Sequence, residues 1–404
     1  MSYKHLSLPL AILFAATLVA CGKSETPAAS PASSAVNSSA TDDVSVVKIG
    51  ASAPLTGPQA HVGKDNENGT RMAIEDANAA GTIIGGHKVR FELLSEDDQA
   101  DPKTATIVAQ KLVDAKVNGV IGHLNSGTSI PASRIYSDSG IPQISPSATA
   151  LGYTTQGLKT TFRVMSNDGQ QGKALGEFAT TTLNAKKIAV IDDRSAYGQG
   201  LADEFIKSVQ ANGAEIIARE YTADKAVDFT AVLTSIKSKH PDLLFFGGMD
   251  PQSIPMVKQL RALGLDVKFV TGDGGYTPKF IELAGDAANG VYASLPGVPL
   301  DQMPGGKNFS RRYEEKYKQP IQLYAPYCYD AVNVMIAAMQ KASSVEPTKY
   351  LPELAKITYS GVTANIAFDE KGDLKGGAVT LYQVQQGKWQ PLQTISGKTS
   401  MPAH

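Results

Sequence analysis

The sequence predicts an α/β protein of two doubly wound lobes with mainly parallel sheets. Three observations carry that reading. Apolar strand-like runs alternate with amphipathic helical stretches from residue 46 onward, as in a parallel sheet covered on both faces. The rhythm restarts after "TTFRVMSND", residues 160–168. The 404 residues are also too many for one ordinary core.

In the first half, "VVKIGASAP" reads as a strand, and "NGTRMAIEDANAAG" as a helix with Met72, Ile74 and Ala77 inward. "HKVRFELLSEDD" is the next strand. "DPKTATIVAQKLVDAKVNG" opens with Asp101 as N-cap and Pro102 at the first helical position. That helix is expected to bury Ile107, Val108, Leu112 and Val113 and to close near Gly119. "GVIGHLNS" and "IPQISPSAT" follow as strands. In the second half, the strand "KKIAVIDD" leads into the helix "GQGLADEFIKSVQANG". Leu201, Phe205 and Val209 recur there at i, i+4, i+8, and Gly213 is the stop. "AEIIAREY", "PDLLFFGG" and "VKFVTGDGG" continue as strands, with the helix "SIPMVKQLRALG" between the last two. The rhythm changes lobe near Met165–Asp168, Leu295–Val298 and Gly372–Gly376.

The N-terminus is a separate matter. "LSLPLAILFAATLVAC" follows Lys4 and His5 and is too short for a membrane span, so residues 1–20 read as a secretory signal. "LVAC" is similar to the lipobox of bacterial lipoproteins, whose cysteine is acylated; that makes Cys21 a lipidation site. Residues 21–45 lack the apolar side chains to bury anything and are expected to be a disordered tether. A coil of that length reaches roughly 25 Å, enough to hold a body off a membrane. The one other cysteine, Cys328, is then unpaired and reads as a buried small hydrophobe.

Charge is balanced, 38 basic against 39 acidic residues, and no basic stripe appears, which excludes nucleic acid as a partner. "YGQGLAD" lacks the third glycine of a dinucleotide fingerprint and comes too late after its strand. The six histidines show no metal-ligand spacing, and no Gly-x-Ser-x-Gly elbow occurs. Nothing calls for a metal, a cofactor or catalysis. The loops after the strands, where ligands sit in sheets of this kind, share one chemistry instead. "HLNSGTS" brings Ser126 and Thr128, "SPSAT" brings Ser147 and Thr149, "RSAYG" brings Tyr197, and "TGDGGYTP" brings Asp273. Hydroxyls and free backbone N–H groups suit a carboxylate. A lone acid across the cleft suits an ammonium. Any one of these loops could be turn punctuation alone.

"VIGHLNSGTSIPAS", "ISPSATA", "FRVMSNDGQQG", "AYGQGLA", "GLDVKFVTGDG" and "FDEKGDLKG" resemble the periplasmic leucine/isoleucine/valine-binding proteins of ABC importers, over nearly all of residues 46–394. The resemblance implies a type I periplasmic-binding-protein fold with a three-crossover hinge. It divides the chain into an N-terminal lobe, 46–165 plus 297–372, and a C-terminal lobe, 166–296 plus 373–394. It implies that Ser126 and Thr149 hold a ligand α-carboxylate, and that the Ser147 carbonyl and Asp273 hold the ammonium. Ala148 lies in the same loop, and Tyr197 lines the cleft from the second lobe. Met249 and Val62 stand where the family commonly has aromatic side chains on the ligand, and Asp273 where it commonly has glutamate. Ala100 and Asn125 fill the positions of the family's disulfide.

By that resemblance the chain is a monomeric, lipid-anchored substrate-binding component on the periplasmic or extracytoplasmic side. It would capture branched-chain or related aliphatic amino acids and pass them to permease and ATPase subunits in the inner membrane. The same fold could instead bind an amide, urea or another small polar solute, for transport or for sensing.

Overall fold

The structure, a computed structural model, describes residues 44–396. The signal sequence, Cys21 and nearly all of the tether lie outside the described residues. The first sheet contains β1 (Ser45–Ala53), β2 (Ile83–Ile84), β3 (His87–Asp97), β4 (Gly119–Gly122), β5 (Gln143–Ser145) and β6 (Thr161–Arg163), in the order β2-β3-β1-β4-β5-β6. All its pairings are parallel except β2 with β3. The second contains β7 (Lys187–Asp192), β8 (Glu215–Tyr221), β9 (Leu243–Gly247), β10 (Lys268–Thr271) and β11 (Tyr292–Pro296). After a two-stranded ribbon of β12 (Thr358–Ser360) and β13 (Asn365–Ala367), the antiparallel β14 (Ala378–Gln385) and β15 (Lys388–Ser396) complete its edge. Its order is β15-β14-β11-β10-β9-β7-β8. Strand order reverses between β1 and β4 in one sheet and between β7 and β9 in the other. Those two switch points are where a doubly wound sheet opens a ligand crevice.

Among the described residues eleven α-helices cover the sheets: α1 (Ala60–Ala79), α2 (Pro102–Asp114), α3 (Ser126–Asp138), α4 (Asp168–Glu177), α5 (Ala196–Ala211), α6 (Thr230–Lys237), α7 (Asp250–Ala262), α8 (Pro278–Ala284), α9 (Gly306–Tyr317), α10 (Ala325–Lys341) and α11 (Pro347–Leu354). On β7, Ile188 and Val190 face one apolar cluster with Phe205 and Phe245, whose rings stack at 4.1 Å. Ala189 and Ile191 face the other, with Leu233 and Phe246. Burial on both faces explains why these strands read as continuous apolar runs. Leu201, Phe205 and Val209 of α5 are fully buried, and Gly213, at φ +79°, follows the helix end as expected. Cys328 is buried and unpaired.

Two expectations need correction. Ile107 is 70% exposed and Val113 only half-buried. The buried stripe of α2 is Ala105, Val108, Ala109 and Leu112. That is one face at i, i+3, i+4, i+7 spacing, and Ile107 falls about 100° away from Val108. Helix α1 also starts eight residues earlier than its apolar pattern, which begins at Asn68. "AHVGKDNEN" is a poor helix former, held helical by packing rather than propensity. Gly63 lies so close to the Pro54 carbonyl that a Cβ would sit 1.9 Å from its oxygen.

Candidate functional site

Strand β5 ends at Ser145, earlier than its sequence pattern, so "SPSAT" leaves the sheet as a loop beside the start of α3. The Ala150 N–H donates to Ser126 Oγ at 3.1 Å, tying the loop to the first residue of α3. The first N–H groups of α3 have no intrahelical partners, and Asn125 and Gly127 face an open cavity. Thr149 is fully buried with its hydroxyl unpartnered, and its carbonyl accepts the Asp168 N–H at 2.9 Å. Ser147 turns its hydroxyl to the Leu124 carbonyl at 3.0 Å. The Ala148 carbonyl accepts from Arg163 at 2.7 Å.

Two buried carboxylates complete the site: Asp273 on the second sheet's side, and Asp168, whose backbone is bonded directly to Thr149. Asp273 follows β10 and is 1% exposed. Its Oδ1 accepts from Tyr197 at 2.8 Å and Gln171 at 3.1 Å, and its Oδ2 from Tyr324 at 2.6 Å. Tyr324 is placed by Asp65 of α1, whose carboxylate accepts the N–H groups of Gln322, Leu323, Tyr324 and Ala325 before and at the start of α10. Gly274 packs so tightly that a Cβ would come within 2.7 Å of both the Gly248 carbonyl oxygen and the Met249 sulfur. Asp168, first residue of α4, is fully buried with neither oxygen in full hydrogen-bond geometry, although the Thr149 hydroxyl lies near enough to favour its charged form. Thr149 Oγ1 and the two Asp168 oxygens are three of ten buried side-chain polar atoms lacking a partner among the described residues, so unmet polar demand concentrates here.

The electrostatics follow from burial. Desolvation, and then the charge of Asp273, pushes the Asp168 carboxyl well above its ordinary range. Desolvation also raises Asp273, against the pull of its three side-chain donors. The Tyr197 and Tyr324 hydroxyls are raised first by burial and next by Asp273, so both remain donors. The nearby cation, Arg163, is already committed. It binds Asp373 at 2.5 Å, the carbonyls of Ala148 and Ala150, and Thr154. Two buried acids with no free cation among the described residues are chemically matched to an ammonium.

Beside this cage a cavity of about 530 Å³ opens, lined by Asn125, Gly127, Tyr197, Met249, Asp193 and Gln59 among others. A second opening of about 420 Å³ shares Gln59, Ala100, Asp224 and Gln252 with it. Tyr197 and Met249 line the cavity. Val62 is fully buried in one apolar cluster with Met249, Tyr197 and Tyr324. Sequence reasoning missed Asp168, Gln171 and Tyr324. Asn167 and Gln170 form a capping box around Asp168, and that Asn-x-x-Gln pattern could have placed an acid at a helix start after a strand. No comparable signal marked Tyr324. Among the described residues no cluster of His, Cys, Asp and Glu could hold a metal, and no helix is long and apolar enough to cross a membrane.

Residues 46–388 match the periplasmic binding protein family. The leucine-, isoleucine-, valine-, threonine- and alanine-binding protein of Pseudomonas aeruginosa is 35% identical over 337 residues, 83% of this chain and 89% of the relative. The leucine-binding protein LivK of Thermotoga maritima superposes with a TM-score of 0.80 at 28% identity, covering 86% of this chain and 98% of that one. The branched-chain amino acid transporter substrate-binding protein LivJ of Streptococcus pneumoniae, solved with isoleucine, gives 0.79 at 28% identity, covering 87% and 99%. The chain belongs to the periplasmic binding protein family, and its two-lobed architecture is that family's type I fold.

Proposed function

We propose that this chain is the lipid-anchored substrate-binding component of an ABC importer. In this reading it captures branched-chain or related aliphatic amino acids and hands them to a permease and its ATPase subunits. The lobes are 46–165 with 297–372 and 166–296 with 373–394, closing about three crossovers. A relative that binds leucine, isoleucine, valine, threonine and alanine, and a structural neighbour solved with isoleucine, support the ligand class.

One observation carries the reading: neutral hydroxyls and helix N–H groups share a buried site with two acids that have no free cation among the described residues. The start of α3, with Ser126 and Thr149, receives the carboxylate. Asp168 and Asp273, with Tyr197, receive the ammonium, and the Ser147 carbonyl assists. Met249 and Val62 shape the wall for an aliphatic side chain. A thermal-shift screen of amino acids, amides and urea, followed by calorimetry, tests this. Leucine, isoleucine or valine should stabilise the protein and bind in the micromolar range or tighter. Stabilisation by an amide or urea alone would assign the cleft to a different solute.

The anchor has its own test. Cys21 of the extracted protein should carry a lipid by mass spectrometry, and Cys21→Ser should release the protein from membranes. A mature N-terminus at another residue without lipid contradicts it.

A further inference from the structure

We infer that His61 and Asp250 form a latch between the lobes, a pair outside the ligand cage that sets how firmly the closed cleft holds its ligand. The inference rests on the amino-acid-binding reading above. His61 stands in the first turn of α1, on the first sheet's side of the cleft, and Asp250 opens α7 on the other. Their side chains meet at 2.7 Å, Nε2 to Oδ2, although 189 residues separate them in sequence.

The chemistry of the pair makes it strong. Asp250 is fully buried, its Oδ2 also accepts the Thr277 hydroxyl at 2.8 Å, and its Oδ1 has no partner. A buried carboxylate with so few donors gains much from each one. His61 has a side chain one-fifth exposed, so it sits where water takes over when the lobes part. Position matters as well. Val62 follows His61 and Met249 precedes Asp250, so each partner is one residue from an expected side-chain wall residue. Other side-chain bonds between the lobes serve elsewhere: Tyr324 to Asp273 ends on a residue of the proposed ligand site, and Arg163 to Asp373 sits at a crossover. The His61–Asp250 pair ends on neither ligand-holding half.

A contact made only when the lobes touch raises the closed fraction, and observed affinity scales with that fraction. It slows release and leaves encounter with the open cleft unchanged. His61→Ala should therefore weaken leucine binding roughly tenfold, almost wholly through a faster dissociation rate. The melting temperature of the ligand-free protein should stay within about 2 °C of wild type, a shift that a structural role would exceed. His61→Gln, whose amide can still donate, should recover most of the affinity. His61→Ala with Asp250→Ala should lose no more than Asp250→Ala alone.

Additive losses in that double variant, or a His61→Ala affinity within twofold of wild type, would overturn the latch. If wild type binds no amino acid at all, the ligand reading falls by itself. The latch is then read by disulfide trapping in the ligand-free protein: His61→Cys with Asp250→Cys should cross-link under oxidant, and the trapped form should scatter with a smaller radius of gyration than the reduced one. Failure to cross-link would overturn it.

Discussion

The two halves of the cleft solve opposite problems with different materials. The half beside α3 is neutral: a helix start, the Ser126 hydroxyl bonded to Ala150 N–H, and the unpartnered Thr149 hydroxyl. The other half is acidic: Asp168 and Asp273, both fully or almost fully buried, with Tyr197, Gln171 and Tyr324 turned toward Asp273. Neutral dipoles stay in place at any ordinary pH and carry little desolvation cost when empty. Buried acids cost stability until a cation arrives. The comparison teaches that affinity and pH response should both be concentrated in the charged half.

Asp273→Ala should have the largest effect. On the proposed reading it removes the ammonium's partner, and it leaves three donors facing nothing. A broken buried pair costs about 3–5 kcal/mol, or a hundred- to several-thousand-fold in affinity. Calorimetry with leucine measures it. A loss under tenfold would make Asp273 a purely structural group and shift the ammonium's pairing to Asp168.

Asp168→Asn comes next, at about 1.5–3 kcal/mol for one charge-assisted bond, roughly ten- to a hundredfold. It also separates the halves by pH. In the folded chain the Asp168 carboxyl keeps its proton to higher pH than in the unfolded chain, where it titrates near 3.9. Between those two values the native state binds more protons, so stability falls as pH rises. An adjacent ammonium favours the carboxylate, so leucine should displace that proton and bind more tightly as pH climbs through the same window. Calorimetry in buffers of different ionisation heat should show proton release by wild type, less of it in Asp168→Asn, and a more stable ligand-free variant at neutral pH. Equal proton release in both proteins would remove Asp168 from the ammonium's surroundings.

Thr149→Val should have the smallest effect, about 0.5–1.5 kcal/mol for a neutral hydrogen bond, or two- to tenfold. Its proton release should stay nearer wild type than that of Asp168→Asn, because Thr149 carries no charge and acts on Asp168 only as a neutral neighbour. A loss of proton release as large as in Asp168→Asn would show that Thr149 acts on Asp168 rather than on the ligand.

The same contrast explains what the sequence made legible. The lobes were readable because both-face burial writes apolar runs such as "LLFFGG" and restarts the rhythm at residue 186. The neutral half was readable because hydroxyl- and glycine-rich loops follow strands directly. The charged half was only partly so. Asp273 follows a strand, but Tyr324 reaches it from 51 residues away, held by Asp65 through four N–H groups. Such a contact exists only after α1 and α10 pack, and no local pattern encodes it. Ile107 failed for a smaller reason: two adjacent apolar residues on a helix cannot share one narrow stripe.

The central claim is that the cleft reads both charges of a zwitterion. The most direct measurement is calorimetric titration of wild type with leucine and with 4-methylpentanoate, the same skeleton without its ammonium. The account predicts that the deaminated acid binds at least a hundredfold more weakly, since the carboxylate pair at Asp168 and Asp273 then lacks its cation. Binding of the analogue within about tenfold of leucine would contradict the account and show that the ammonium is not read.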